Sequence, residues 1–261
     1  MDEPIGIKQI PEYGQEVGME PLGEIIEIWR YPVSSLGGER LTSAVLGSDG
    51  IAFDRAWCIC DAETGAPAAP EKELRWRPAL FLSARLGEDN RPEIGFPDGG
   101  WTGVDDAGLA ERLATHFGFA VDVRPYARNA DDTGPVAVNR YLPSPIHLVT
   151  TDGLKHLATL AGTDEVSSRR FRPNVVLKTP GLAGFPEKEW VTQRLQLGQA
   201  LIVGFEETRR CGMTIAPQPD IAENADILRS LLRHNRRNFG IYCTIEEPGF
   251  ISTGDIASRA A

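Results

Sequence analysis

The sequence predicts a β-rich α+β fold with a barrel architecture and helical covers. Short β-branched and aromatic runs are separated by Gly, Pro and Asp, few segments show helical periodicity, and strands and helices do not alternate strictly. The lack of a Gly-x-Gly-x-x-Gly turn after a strand, and of a Walker A loop, argues further against a doubly wound nucleotide-binding sheet.

Residues 1–22 read as an acidic tail or strap. Asp2, Glu3, Glu12, Glu16 and Glu20 stand there against Lys8 alone, and Pro4 and Pro11 interrupt any helix. Residues 23–125 form a first, β-barrel-like domain with strands expected at 23–30, 56–61 and 79–86. A helix is expected over 105–117, because Leu109, Leu113 and Phe117 recur at i, i+4 and i+8 behind an Asp N-cap. Val121 and Val123 follow. The Gly-, Pro- and Asp-rich loop 126–145 then opens a second domain, 126–261. There, 146–149 is a strand and 151–160 a helix with Leu154, Leu157 and Leu160 on one side; 175–177 and 200–205 are strands. The segment 224–233 is an amphipathic helix with Ile227, Leu228, Leu231 and Leu232 inward, and Arg229, Arg233 and His234 near a C-terminus whose dipole favours cations. Strands at 239–245 and around Ile251 finish the chain.

The 261 residues carry a formal net charge of −10. A chain this acidic needs a concentrated basic face to bind a polyanion, which argues against a general nucleic-acid partner. No stretch approaches the roughly 20 apolar residues of a membrane span, and the start lacks the basic and apolar regions of a secretory signal, so a cytoplasmic protein with no membrane partner is expected. Cys58, Cys60, Cys211 and Cys243 form no CxxC pair and show no zinc-ligand spacing. Cys58 and Cys60, two apart on a strand, share a face and read as buried free thiols.

Local charge says more than the total. The segment 167–178, SSRRFRPNVVLK, holds Arg169, Arg170, Arg172 and Lys178 and no acid. Guanidinium forks suit the oxygens of a small anion and Asn174 adds a neutral donor, although a solvated basic edge fits the same composition. Arg209 and Arg210 precede Cys211, and cations beside a thiol favour the thiolate, the form that attacks electrophiles or ligates metals. Cys211 is therefore the candidate nucleophile or ligand; a buried inert thiol is the competing reading. Arg55 forms an expected ion pair with Asp54, its ligand role open. His116, His147, His156 and His234 are isolated and read as packing or surface residues.

In chain order, Arg30-Tyr31-Pro32-Val33-Ser34-Ser35, Asp54-Arg55-Ala56-Trp57, Arg170-Phe171-Arg172-Pro173-Asn174-Val175-Val176, Arg210-Cys211-Gly212-Met213-Thr214, Asn238-Phe239-Gly240-Ile241-Tyr242 and Gly254-Asp255 make a specific ordered set. The chain, over about 23–256, resembles a MOSC protein with its N-terminal β-barrel domain, and among these the amidoxime-reducing molybdenum proteins. The resemblance implies the molybdenum cofactor, Mo-molybdopterin, with Cys211 as metal ligand and catalytic residue. It places Ser34, Ser35, Arg55, Thr150, Thr151, Arg170, Arg172, Asn174, Arg209 and Arg210 at or beside the cofactor, and carries pyridoxal phosphate binding as a further association. The implied activity is reduction of N-oxygenated or N-hydroxylated small molecules. Since no Cys-rich iron–sulfur segment follows within the sequence, electrons would come from a separate flavin or iron–sulfur protein. Two alternatives accompany this: a sulfur- or cofactor-carrying protein with a Cys211 persulfide, and a cofactor-free biosynthetic enzyme, the latter suggested by Ser34 where the family usually has lysine.

Overall fold

A computed structural model describes residues 20–126, 136–139 and 144–260. The expected tail, except its last three residues, and most of the loop 126–145 lie outside the described residues. The N-terminal part contains β1 (Glu20–Arg30), β2 (Val33–Ser34), β3 (Glu39–Leu41), β4 (Ser43–Gly47), β5 (Gly50–Ile51) and β6 (Trp57–Asp61). A 3-10 segment (Leu74–Phe81) leads to β7 (Ser83–Leu86), β8 (Pro92–Gly95), β9 (Trp101–Gly103), α1 (Leu109–Phe117) and β10 (Val121–Pro125). The C-terminal part contains β11 (Ile146–Thr150), α2 (Thr151–Ala161), β12 (Val175–Lys178), β13 (Arg194–Leu197), β14 (Ala200–Arg209), α3 (Ala225–His234), β15 (Asn238–Glu247), β16 (Gly249–Ser252) and β17 (Ile256–Arg259).

Seven strands close into a barrel in the order β12, β11, β15, β14, β13, β17 and β1, with β1 pairing back onto β12 and β3 added at its outer edge. Closure removes the open sheet edges that would otherwise template aggregation. The β1–β12 seam sets Ile25 opposite Leu177 and Ile28 opposite Val175. These side chains fill the barrel with Leu46, Ile146, Leu148, Leu195, Leu197, Ile202, Ile241 and Cys243. Period-2 alternation explains the second core outside the wall: Val149 and Val176 point outward under α2 and α3, where Leu157, Phe171, Ile227, Leu231 and Phe239 cover them. All of β11 is therefore buried, and its apolar run is continuous rather than alternating. A third core gathers β2, β6 and the β7–β9 sheet beneath α1, with Trp76 edge-on to Phe117 and Phe119.

The β-rich α+β fold class holds, with differences in detail. Residues 79–81 are 3-10, not strand: Trp76, Ala79 and Leu80 are buried on one side, the i, i+3, i+4 spacing of a helical turn. α1 begins only at Leu109, behind Gly108 with no side-chain cap, because Asp106 instead accepts from the Gly108 N–H in the preceding turn. Asn224 caps α3 by accepting from the Asp226 N–H, Ile227 and Leu231 are buried, and Leu232 faces solvent. β14 runs four residues past the expected end, leaving Phe205 exposed and carrying Arg209 to the rim described next.

Candidate functional site

A cavity of about 410 Å³ opens where the β2 turn, the β5–β6 connection and the ends of β11, β12 and β14 meet. Ser34, Ser35, Arg55, Arg172, Asn174, Arg209, Arg210 and Cys211 all line it, joined by Asp49, Asp54, Glu71, His147 and Tyr242. Positions dispersed over most of the chain thus converge on one hollow.

Asn174 is the clasp. Its side-chain oxygen accepts from the His147 N–H at 3.1 Å and its amide nitrogen donates to Asp54 at 3.0 Å and to the Trp29 carbonyl at 3.3 Å. One buried side chain thereby ties β1, β11 and the β5–β6 connection together. Asp54 also accepts from the Tyr31 N–H at 2.7 Å and from the Arg55 guanidinium, which in turn donates to the Arg172 carbonyl at 2.8 Å. Arg55 and Arg172 lie over the Tyr31 ring, 4.8 Å and 4.2 Å from its centroid.

Three lining residues, Ser35, Arg55 and Arg172, have left-handed backbones at φ 73°, 49° and 54°. Non-glycine residues avoid that region, and clustered outliers of this kind concentrate at binding sites. Arg172 ends a 3-10 turn (Ser168–Phe171), and its reversal before Pro173 swings its guanidinium toward the cavity and away from Arg170. Arg172 donates to the Leu36 carbonyl through Nη1, while its Nη2 is buried with no partner among the described residues. Arg210 donates to the Phe171 carbonyl at 2.7 Å, and its Nε is likewise buried and unpartnered.

The electrostatics follow from burial. Burial lowers Arg172 to about 10, with Arg55 and Arg210 pushing the same way and Tyr31 and Asp54 opposing. Burial also lowers Arg210, against the attraction of Tyr242 and Cys211. For Arg55 the burial penalty is outweighed by Asp54, Tyr31 and Tyr242, and its net shift is upward. His147 is held well below the usual imidazole range by burial, then by Arg210 and Arg55. It is therefore neutral at pH 7, with Nε2 facing Arg210 and Nδ1 facing the Arg172 carbonyl, each at 3.5 Å. Buried cations that repel one another and leave N–H groups without partners give this side of the cavity a positive potential.

Cys211 stands at the start of a 3-10 turn (Gly212–Ile215) and its thiol is partly exposed. Its carbonyl accepts from the Thr214 N–H at 3.2 Å and hydroxyl at 3.0 Å, which fixes the backbone behind the sulfur.

Three expected site residues do not line the cavity. Arg170 is buried behind the Cys211 turn, donating to the Thr214 carbonyl at 3.2 Å and the Ala222 carbonyl at 2.6 Å, so its charge steadies that turn. Thr150 caps α2, accepting from the Gly153 N–H at 3.0 Å and donating to Glu187 at 2.6 Å. Thr151 accepts from the Thr179 N–H at 3.1 Å. These contacts occupy both hydroxyls in holding the helix start. Conversely, His147, expected to be a packing or surface residue, lines the cavity, and Tyr31 and Tyr242, present in the ordered set without an assigned role, lie under the arginines and on the cavity wall respectively.

Glu187 is a buried carboxyl in the same network, accepting from Thr150 and, at 3.2 Å, from the Gly240 N–H. Burial raises it to about 7. The folded state thus holds the proton more tightly than the unfolded chain, whose ordinary glutamate value is 4.5. This stabilisation is complete below about pH 4 and is lost as pH rises toward 7, to a total of order 3 kcal/mol. Glu187→Gln should flatten the pH dependence of urea stability between about pH 4.5 and 7. An unchanged slope would mean that the carboxyl does not titrate there.

Comparison with known proteins identifies the family. The model of the MOSC domain matches residues 131–258, and that of the MOSC N-terminal beta barrel domain matches 22–91. The chain belongs to the MOSC family. Some members of this family bind a molybdenum cofactor, and the family includes sulfurases as well. Among solved structures, this MOSC chain resembles the YuaD protein from Bacillus subtilis at 12% identity, covering 94% of this chain and all of that one, with a TM-score of 0.48. It resembles YiiM from Geobacillus stearothermophilus at 16% identity, over 45% of this chain and 55% of that one, with a TM-score of 0.34. For YiiM from Escherichia coli the figures are 14%, 45%, 55% and 0.32. No curated protein matches the sequence. No helix among the described residues is long and apolar enough to cross a membrane.

Proposed function

We propose that this MOSC protein binds a molybdenum–pterin cofactor through Cys211 and reduces N-oxygenated small molecules with electrons from a separate redox protein. The observation that carries the reading is the pair of buried, unpartnered guanidinium atoms, Arg172 Nη2 and Arg210 Nε, beside a cavity that also presents a partly exposed thiol. Leaving a buried donor idle costs about 1–3 kcal/mol, so an anionic ligand that meets those donors recovers binding energy there. Arg172 and Arg210 would hold the anionic part of the group, Ser34 and Ser35 offer hydroxyls to it, and Cys211 would ligate the metal. Among the described residues no three His, Cys, Asp or Glu side chains gather to hold a metal, so Cys211 would act beside ligands that the cofactor brings.

When bound, the cofactor supplies oxygen-atom and electron transfer. The net change is R–NH–OH + 2e⁻ + 2H⁺ → R–NH₂ + H₂O. In the protein, Asp54 and Asn174 hold Arg55 and the Arg172 turn in place, and Arg170 fixes the turn after Cys211. Neutral His147 sets its Nε2 against the Arg210 guanidinium, which helps to keep that charge at the cavity.

Metal and pterin analysis of protein made in a molybdenum-replete host tests this. Roughly stoichiometric molybdenum and pterin support it; no molybdenum but a cyanide-labile sulfur on Cys211 would shift the reading to sulfur transfer, and the lack of both would leave a cofactor-free enzyme. Arg172→Ala should reduce cofactor content at least about tenfold, because a charged hydrogen bond contributes about 1.5–3 kcal/mol. Full content in that variant would discredit the pocket.

A further inference from the structure

Beyond the cavity itself, its rim carries an unneutralised charge. Arg209 lines the mouth at the end of β14 and pairs across the sheet with Asn238 at the start of β15. Arg233 occupies the last turn of α3, and Arg236 and Arg237 form the connection to β15. That connection is locked to the cavity wall: the Arg210 N–H donates to the Arg237 carbonyl at 2.9 Å, and Arg237 Nε donates back to the Arg210 carbonyl. Asn235 closes the turn by donating to the Asn238 carbonyl at 2.9 Å. Arg236 and Arg237 are both left-handed, at φ 49° and 71°, so two side-chain-bearing residues hold a conformation that glycine would adopt more easily.

Arg209, Arg233 and Arg236 are exposed, and none has a carboxylate partner among the described residues. Elsewhere most exposed arginines face a carboxylate, as Arg85 faces Glu93, Arg91 faces Asp105, Arg194 faces Glu246 and Arg229 faces Asp226; Arg40 is the exception and donates to the Ile26 carbonyl. Glu206 and Glu207, further back on β14, are the acids nearest to Arg209 in sequence. In a chain of net charge −10, arginines without a carboxylate partner beside this cavity are a local reversal of sign. A surface of this kind attracts a partner of opposite charge and orients its approach.

We propose that Arg209, Arg233 and Arg236, on the turn that Arg237 anchors, form the docking surface for an acidic electron-transfer protein. The partner's redox group would be carried to the cavity mouth. This rests on the reductase reading of the cavity, whose electrons must come from outside it. The strong negative charge over the rest of the molecule repels such a partner everywhere else and so restricts it to the rim.

The test uses protein purified from a molybdenum-replete host, an acidic flavodoxin as the probe, and the double variant Arg233→Glu with Arg236→Glu, neither position lining the cavity. Calorimetric titration should show flavodoxin binding by the wild type, weakening about tenfold between about 20 mM and about 300 mM salt as screening shortens. The double variant should bind at least about tenfold more weakly at low salt and lose the salt dependence. Arg194→Glu, on a remote strand, should bind as the wild type does. Equal affinity in wild type and double variant, or no binding by the wild type, overturns the proposal; so does binding of duplex DNA in preference to flavodoxin. Reduced methyl viologen, which needs no docking surface, separates the two readings. Turnover of an N-hydroxylated substrate with viologen but flavodoxin binding indifferent to the arginines rejects the surface alone. Arginine-dependent binding without viologen turnover supports the surface and rejects the substrate chemistry.

Discussion

Replacing Cys211 with alanine is expected to strip molybdenum from the protein while leaving the fold in place. Changing groups that merely orient a metal ligand typically lowers metal affinity about 10–100-fold, so removal of the ligating sulfur should do at least as much. The fold should barely register the change. The Cys211 sulfur makes no hydrogen bond among the described residues, and the backbone behind it is held by Thr214 and Arg170 instead. Loss of the sulfur from this partly buried residue should alter stability by less than about 1 kcal/mol, a shift in Tm of about 2–4 °C at most for a chain of this size. Elemental analysis and a thermal melt of the same preparation check both halves. Undiminished molybdenum in the alanine variant would show that the metal has another anchor, and an unfolded variant would show that the sulfur is structural. Cys211→Ser helps to interpret the result: it nearly restores shape and polarity but not a soft thiolate, so it should lose metal as alanine does.

The cavity was legible in the sequence to the extent that charge was concentrated locally and an ordered family pattern was present. Arg172, Asn174, Arg209, Arg210 and Cys211 stand in short windows whose composition contrasts with an acidic chain, and all five line the hollow. Proximity along the chain says nothing about direction, however. Arg170 and Arg172 are two residues apart, yet the left-handed turn at Arg172 sends one guanidinium behind the Cys211 turn and the other to the cavity. His147 went unmarked for the opposite reason. It is a lone histidine on an apolar strand, and its partners Asn174 and Arg210 lie 27 and 63 residues away.

The fold shows the same division. Helical periodicity located α2, α3 and the body of α1, because burial on one side imposes a repeat that can be counted, while short β-branched and apolar runs marked most of the long strands. It could not show that β1 closes the barrel onto β12, since that pairing links Ile25 to Leu177 and no local signal encodes it. β17 is only the four residues Ile256–Arg259, too short for alternation to stand out, although it joins β1 to β13.

Gly240→Ala is expected to be strongly destabilising although it adds a single methyl. Gly240 sits on β15 at φ 76°, where an L side chain costs about 1–2 kcal/mol. Space is the larger problem. An added Cβ would lie 2.5 Å from His147 Nε2, 2.8 Å from the Leu148 carbonyl and 2.8 Å from Val149 Cγ1. All three contacts belong to the fully buried β11, and the nearest is to an imidazole boxed in by Tyr242, Arg210 and the Arg172 turn. None is the free end of a flexible side chain, so relief requires β11 and β15 to separate, at about 1–3 kcal/mol of overpacking or more. Together the terms approach 2–5 kcal/mol, a large part of the ~5–15 kcal/mol that holds a typical domain folded. A fall in Tm of about 4–20 °C should follow, with cofactor content reduced in whatever remains soluble. Gly118→Ala supplies the comparison. Gly118 ends α1 at φ 78°, nearly the same backbone, but an added Cβ there meets nothing within 4 Å. That variant should lose only the conformational part, about 1–2 kcal/mol. Equal losses in the two variants would show that β11 yields easily, and the cavity wall built on it could then not hold its arginines in a fixed arrangement.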